Sequence, residues 1–185
     1  GLGSVLGLMS ISRTQAASAP SAAGFLDPAF GTGGRALIPI TGTNQIARDI
    51  ALQADGKLVI AGYDKWHTSD YDVILARLNP DGSLDASFGA GGVVTTSFSG
   101  GSDTAYALAL QPDGKIVAAG LTTVGGSSTA ALMRYNADGS LDTTFGSGGL
   151  VTVGLPSASW FLGVAVLDDG RIVAAGSVDS SPRRA

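Results

Sequence analysis

A long internal repeat limits what this chain can fold into. The segment Leu26–Gly31 (LDPAFG) recurs as LDASFG at Leu84–Gly89 and again as LDTTFG at Leu141–Gly146. A second block keeps the same period as DGKLVIAG, DGKIVAAG and DGRIVAAG, beginning at Asp55, Asp113 and Asp169. Internal repeats of this kind build stacked architectures, so we expect three copies of one structural unit.

Each period predicts four β-strands joined by tight turns. In the second period the predicted strands are Val93–Phe98, Ala105–Gln111, Lys115–Leu121 and Thr129–Asn136. The Asp-Gly pairs lie between apolar runs, which favours a two-residue type I′ hairpin turn. Asn79–Gly82 (NPDG) predicts a second kind of turn. No segment shows sustained helical periodicity, and the 28 glycines are consistent with many turns.

The central apolar runs select among all-β folds. Val59–Ala61, Ile116–Ala119 and Ile172–Ala175 do not alternate between apolar and polar residues, so both faces of these strands should be buried. Blades of a β-propeller bury both faces of four-stranded sheets. The sequence therefore predicts an all-β fold of tandem four-stranded antiparallel blades, a partial β-propeller, with an open β-solenoid as the alternative.

The chain divides into two parts. Residues 1–24 form a signal-like or disordered segment, and residues 25–185 contain the three repeats, at about 25–82, 83–139 and 140–185, the last incomplete. The apolar run Leu2–Ile11, followed by Ala17-Ser18-Ala19, indicates a secretory signal, with a disordered or strand-like extension as the alternative. The run is too short to cross a bilayer, so we expect no transmembrane segment.

Three motifs together resemble the delta-60 repeat family of bacterial proteins. They are LDxxFG, DGKIVxAG and the R-hydrophobic-N-x-DGSLD pattern that begins at Arg77 and Arg134. The resemblance extends from about Phe25 to Gly176. It implies a propeller-like fold and occurrence in large secreted or surface proteins, and it implies no established activity or catalytic residues. The third copy departs from the pattern at Trp160–Gly163, and we expect it to form an incomplete blade.

Composition argues against several classes of function. Eleven basic and fifteen acidic residues give a net charge of −4, with no basic cluster beyond Arg183-Arg184, so we expect no nucleic-acid partner. The absence of cysteine excludes disulfides, thiolate catalysis and cysteine-based zinc sites.

The acidic turns are the best candidates for binding an ion. Asn79–Asp85 and Asn136–Asp142 both have the pattern N-x-D-G-S-L-D, in which oxygen donors alternate and a glycine follows. A calcium site needs six to eight oxygens, and each pattern offers only three clear side-chain donors besides serine. We therefore expect the Asn and Asp side chains to stabilise turns, and we predict no metal-binding residues.

Two arginines within apolar strands should find acidic partners. Arg77 precedes Asp85, and Arg134 precedes Asp142, by the same interval. Because a buried arginine is usually paired, this spacing predicts two internal ion pairs in preference to ligand-binding arginines.

Catalytic patterns are missing from the sequence. His67 is the only histidine, and no G-x-S-x-G nucleophile motif occurs. Gly31–Gly34 and its copies lack the Lys-Ser/Thr of a phosphate-binding loop. We therefore predict no enzymatic activity, no catalytic residues and no cofactor.

Two functional hypotheses remain. The first is a non-enzymatic structural or protein-interaction module of a secreted or surface protein. The second is a ligand-binding module, glycan-binding or calcium-dependent, that uses Tyr63, Trp66 and Trp160, although core packing is the favoured role of these aromatics. Closed propellers have four to eight blades, so we expect the three repeats to need an unknown protein partner, further repeats of the same parent chain, or self-association to complete a ring.

Overall fold

The computed structural model describes residues 5–9, 26–40, 44–65, 70–98 and 100–179. These residues form β-strands and turns and contain no helix, so none of them belongs to a helix that could span a membrane. The strands are β1 (Val5–Met9), β2 (Arg35–Pro39), β3 (Gln45–Leu52), β4 (Leu58–Lys65), β5 (Tyr71–Leu78), β6 (Val93–Thr96), β7 (Thr104–Leu110), β8 (Ile116–Val124), β9 (Ser127–Tyr135), β10 (Leu150–Val153), β11 (Ser159–Val166) and β12 (Ile172–Val178).

Two four-stranded antiparallel sheets follow one another along the chain. The first has the strand order β3-β4-β5-β6 and the second has the order β7-β8-β9-β10. Strands adjacent in sequence are therefore adjacent in the sheet, which is the arrangement of a propeller blade. The predicted all-β fold of tandem four-stranded blades is confirmed, and the sheets do not close into a ring within the described residues.

Two shorter sheets flank the complete ones. In the third repeat β11 pairs with β12, and near the amino end β1 pairs antiparallel with β2, with Val5 opposite Pro39. The strand β1 is the part of residues 1–24 that the structure describes. The rest of residues 1–24 lies outside the described residues, and the secretory signal stays a prediction.

The assignment of strands to sheets differs from the prediction. The sequence predicts Val93–Phe98 as the first strand of the second sheet. Instead β6 joins the first sheet, where Val93 lies opposite Ala76 of β5. β10 joins β9 in the same way. The connection after β5 turns back at a bridge between Leu78 and Leu84, which returns the chain along the free edge of β5.

The sheets stack face to face in sequence order. β7 packs against β3, β4 and β5 of the first sheet, and β11 packs against β7, β8 and β9 of the second. The core between the first two sheets includes Val59, Leu75, Phe88, Ile116, Met133 and Tyr135, all fully buried. A second core lies between β2 and the first sheet and includes Ile38, Ile60 and Leu78. The two cores explain why β4 is apolar on both faces. The prediction that Ile172–Ala175 are buried on both faces was wrong, because Val173 is 50% exposed and Ala175 is exposed as well.

The Asp-Gly hairpins have one residue more in their loops than predicted. Gln53 N donates to Lys57 O (2.8 Å), and Gly56 N donates to Gln53 O (3.0 Å). The loop thus has three residues and places Gly56 at a φ of 83°. This is a type I turn followed by a left-handed glycine, so the predicted type I′ turn was wrong. The need for glycine is confirmed, because Gly114 and Gly170 also have positive φ.

Candidate functional site

The N-x-D-G-S side chains hold their own turns. Asp81 Oδ1 accepts hydrogen bonds from Ser83 N (2.9 Å) and Ser83 Oγ (2.6 Å), and Asn79 Nδ2 donates to Ser83 Oγ (3.0 Å). The same bonds recur in the turn Asn136–Ser140. The serine hydroxyl lowers the pKa of Asp81 below its usual value. Across the part of the chain that the structure describes, no three His, Asp or Glu side chains group closely enough to hold a metal ion.

The two predicted ion pairs are present. Arg77 Nε lies 2.7 Å from Asp85 Oδ2, and Arg134 Nε lies 2.8 Å from Asp142 Oδ2. Arg77 and Asp85 are only 7% and 6% exposed. The Arg77 guanidinium also lies over the Phe88 ring, 4.6 Å from its centroid, so one LDxxFG motif supplies both the carboxylate and the aromatic face that hold the arginine.

A lysine completes each ion pair, and sequence reasoning missed it. Lys57 Nζ lies 2.9 Å from Asp85 Oδ2, and Lys115 Nζ lies 2.9 Å from Asp142 Oδ2. Each buried carboxylate therefore forms ion pairs with two cations, a lysine just before one strand and an arginine in the next. The signal was available, because a basic residue follows Asp-Gly in every copy of the repeat.

Hydroxyl groups complete these clusters. Ser87 Oγ donates to Asp85 Oδ1 (2.6 Å), and Thr144 Oγ1 donates to Asp142 Oδ1 (2.6 Å). The hydroxyl bond and the lysine hold the pKa of each carboxyl well below its usual value, so both stay ionised at neutral pH. We call each set a junction cluster; the two consist of Lys57, Arg77, Asp85, Ser87 and Phe88, and of Lys115, Arg134, Asp142, Thr144 and Phe145.

Each N-x-D-G-S turn belongs to one sheet and rests on the LDxxFG motif that leads into the last strand of the preceding sheet. Gly31 N donates to Asp81 O (2.7 Å), and Gly89 N donates to Asp138 O (2.8 Å). The two donors are equivalent positions in successive copies of the repeat, and so are the two acceptors, so the contact recurs with the period of the chain. We call this contact turn docking, and it joins successive sheets.

The junction cluster takes part in turn docking directly. Arg77 Nη1 donates to Ala137 O (2.5 Å), so the arginine bridges its own aspartate and the turn of the next repeat. The turn glycine packs closely on the aromatic ring. A Cβ atom built on Gly139 would lie 2.9 Å from Phe88 Cε2, which explains why this position needs glycine for space as well as for its φ of 87°.

The aromatic candidate Tyr63 is a packing residue. It is 8% exposed, and its ring meets Tyr71 edge to face at a centroid distance of 5.1 Å. The Arg48 guanidinium lies over both Tyr63 (5.2 Å) and Tyr106 (5.5 Å), and Arg48 Nη2 donates to Tyr63 Oη (2.5 Å). The cluster joins the innermost strands of the first two sheets.

The other singled-out residues have different outcomes. Trp66 and His67 lie outside the described residues, so the predictions about them stay predictions. Trp160 is half-buried in β11. Gly31–Gly34 forms the tight turn before β2, in which Thr32 N donates to Arg35 O (2.8 Å).

A buried acid links the first two sheets and was not singled out from the sequence. Asp103 is fully buried, accepts a hydrogen bond from Phe98 N (2.7 Å) and another from the Thr122 hydroxyl, and donates its own N–H to Tyr71 O (2.6 Å). Burial raises the pKa of Asp103 above its usual value. These bonds fix the start of β7 against the end of the first sheet.

The comparisons with known proteins fall on the same segments. Residues 53–88 and 111–145 match the family model described as a domain of unknown function (DUF5122) beta-propeller. Each matched segment begins just after an innermost strand and ends at the phenylalanine of LDxxFG, so each contains one junction cluster. No curated protein matches the chain significantly. The delta-60 name is not part of that description and stays a prediction. The chain is thus an all-β array of β-propeller-type repeats, similar to this family over the two matched segments.

Proposed function

We propose that the chain is a non-enzymatic structural or protein-interaction module of a secreted or cell-surface bacterial protein, and that it works by stacking with further repeats. The recurring polar side chains support this role. The junction clusters hold the strands of each four-stranded sheet together, and turn docking joins one sheet to the next. Side chains that recur with the fold in this way serve stacking at every copy rather than chemistry at one.

The observation that supports stacking with a further repeat is an open apolar face on the third sheet. Val59 and Val117 occupy corresponding positions in β4 and β8 and are both 0% exposed, whereas Val173 at that position in β12 is 50% exposed. Leu162 and Val178 are 54% and 48% exposed. In the first two sheets the innermost strand of the next sheet packs against this face. An exposed apolar surface of this kind favours association.

A charged substitution on that face tests the proposal. The purified chain should self-associate with rising concentration in light scattering and should bind a hydrophobic dye. Val173→Lys should reduce both signals. Val124→Lys is the matched control, because Val124 is 52% exposed at the β8–β9 hairpin and should leave both signals unchanged. A monodisperse monomer that binds no dye would contradict the proposal.

The secreted or surface location rests on the apolar run and the A-x-A pattern in residues 1–24. Fusion of this segment to a reporter that is active only outside the cytoplasm, in a bacterial host, tests it. We expect the reporter to be exported, and we expect export to be lost when a charged residue replaces Leu6. A reporter that stays in the cytoplasm would contradict this location.

A further inference from the structure

A third docking surface lies beside the second sheet, in the LDTTFG segment that precedes β10. In the two observed turn dockings, the surface consists of a glycine N–H and the phenylalanine that precedes it in LDxxFG, and in the second an arginine from the junction cluster takes part. Phe145, Gly146 and Arg134 are the corresponding residues of the next copy. We call these three residues the turn acceptor.

The turn acceptor already has the conformation of the occupied surfaces. Gly146 has a φ of 56°, against 58° for Gly31 and 55° for Gly89, which both hold a docked turn. Arg134 lies over the Phe145 ring at 4.4 Å, as Arg77 lies over its own phenylalanine. The surface therefore needs no rearrangement to accept a ligand of the same shape.

No described residue covers the turn acceptor. Gly146 is exposed, and its N–H has no bond to any residue that the structure describes. The Arg134 side chain is 19% exposed, whereas that of Arg77, which donates to a docked turn, is 8% exposed. Phe145 is half-buried, whereas Phe88 is fully buried. The three residues of the turn acceptor are thus open to a ligand, whereas the corresponding residues of the earlier copies already hold a docked turn.

The neighbouring sheet shows how a ligand would reach the acceptor. In the first two sheets a third strand pairs with the second and ends in the N-x-D-G-S turn that docks, as β5 does on β4 and β9 does on β8. β12 corresponds to β4 and β8. Within the described residues it pairs with β11 alone, so its other edge offers unpaired backbone groups.

We propose that the β12 edge and the turn acceptor together form a binding site for one kind of partner: an extended segment that ends in an N-x-D-G-S turn. The segment adds as an antiparallel strand to β12. Its turn then presents a carbonyl to Gly146 N and another to Arg134 Nη1, and its glycine packs on the Phe145 ring. This inference rests on the proposed function, because the partner is a further piece of the same kind of repeat.

An extended chain tests the inference. In this chain, residues 178–185 are replaced by a second copy of segment 122–149. Ser177 is the counterpart of Leu121 in the repeat, so the added segment continues the chain in the same register as in the second repeat. Amide hydrogen exchange measured by NMR then reports on two places, the β12 amides and the Gly146 amide. Gly89, already docked, is the internal reference in both chains.

The expected result is that Gly146 exchanges quickly in the natural chain and slows to the rate of Gly89 in the extended chain. A matched variant has Gly139→Val in the added copy only; it should keep the protection of β12 and lose that of Gly146, because the new side chain cannot approach Phe145. If β12 becomes protected while Gly146 keeps exchanging quickly, the turn acceptor is refuted and the stacking function stands. If neither becomes protected while Gly89 stays protected, both the site and the proposed addition of repeats are refuted.

Discussion

Turn docking predicts that the same substitution, glycine to alanine, lowers the free energy of unfolding by different amounts at two turns. Gly114 and Gly139 both have a left-handed backbone, with φ of 85° and 87°. An added Cβ on Gly114 meets only the Ala137 Cβ at 3.4 Å, an ordinary contact. The same Cβ on Gly139 falls 2.8 Å from Val94 Cγ2 and 2.9 Å from Phe88 Cε2. The two sites thus share the backbone conformation and differ in whether an added Cβ meets the preceding sheet.

The magnitudes follow from this geometry. Holding an alanine in the left-handed region costs about 1–2 kcal/mol, and this is the whole expected cost of Gly114→Ala. Gly139→Ala has the same backbone cost and adds an overpacking cost of about 1–3 kcal/mol, because Phe88 is fully buried and must move. We therefore expect Gly139→Ala to lower the free energy of unfolding by about 2–5 kcal/mol.

Urea denaturation followed by tryptophan fluorescence measures both variants. Gly170→Ala provides a second reference, because Gly170 has a φ of 82° and nothing within 4 Å of an added Cβ. The loss of stability in Gly170→Ala should equal that in Gly114→Ala. An equal loss of stability in Gly139→Ala and Gly114→Ala would refute the reasoning, because it would mean that the turn does not pack closely on the preceding sheet.

Three further predictions concern the acidic side chains. Asp85→Asn should lower the free energy of unfolding by about 3–5 kcal/mol in urea denaturation, because it leaves the buried Arg77 without its charge partner. Asp27→Asn is the control: among the described residues this carboxylate accepts a turn-capping bond from Ala29 N, and the substitution should lower the free energy of unfolding by about 1 kcal/mol. Equal losses would contradict the junction cluster. The pKa of Asp85 in the folded chain lies below the ordinary 3.8, so the stabilisation by this carboxylate should be complete above about pH 4 and disappear as the pH falls through the folded pKa. In thermal melts, the Asp85→Asn variant should therefore lose less stability on acidification than the natural chain. Chelation of calcium should not change the melting temperature, and a chelator-sensitive shift that disappears in Asp81→Ala with Asp138→Ala would overturn the turn role of these residues.

Much of the architecture could be predicted because it depends on local patterns. Non-alternating runs such as Ile116–Ala119 indicate strands buried on both faces, and the structure buries them between stacked sheets. The Asp-Gly pairs require glycine at positive φ, whichever turn forms. Arg77 and Asp85 were predictable partners because an arginine in an apolar strand needs a carboxylate nearby.

The remaining features depend on relations between repeats. A periodic sequence does not show whether Val93–Thr96 pairs with the strands before it or after it, and the free edge of β5 decides this. Turn docking was missed for the same reason, because Gly89 lies beside the first sheet and Asp138 beside the second, and no local pattern joins them. Lys57 was missed because the whole of β4 and β5 separates it in sequence from Asp85, the carboxylate that its side chain reaches.

The placement of β6 has a consequence for how such a chain can change in length. The segment from Leu84 to Tyr135 supplies one strand to the first sheet and three to the second, so each sheet is finished by residues encoded in the following unit. Duplication or loss of one whole period in the gene would therefore rebuild the same interlocked joint, wherever the break falls. Loss of a shorter segment that contains β6 or β10 would leave one sheet without its outer strand, which favours growth and shrinkage in whole periods, such as the interval from Leu84 to Leu141.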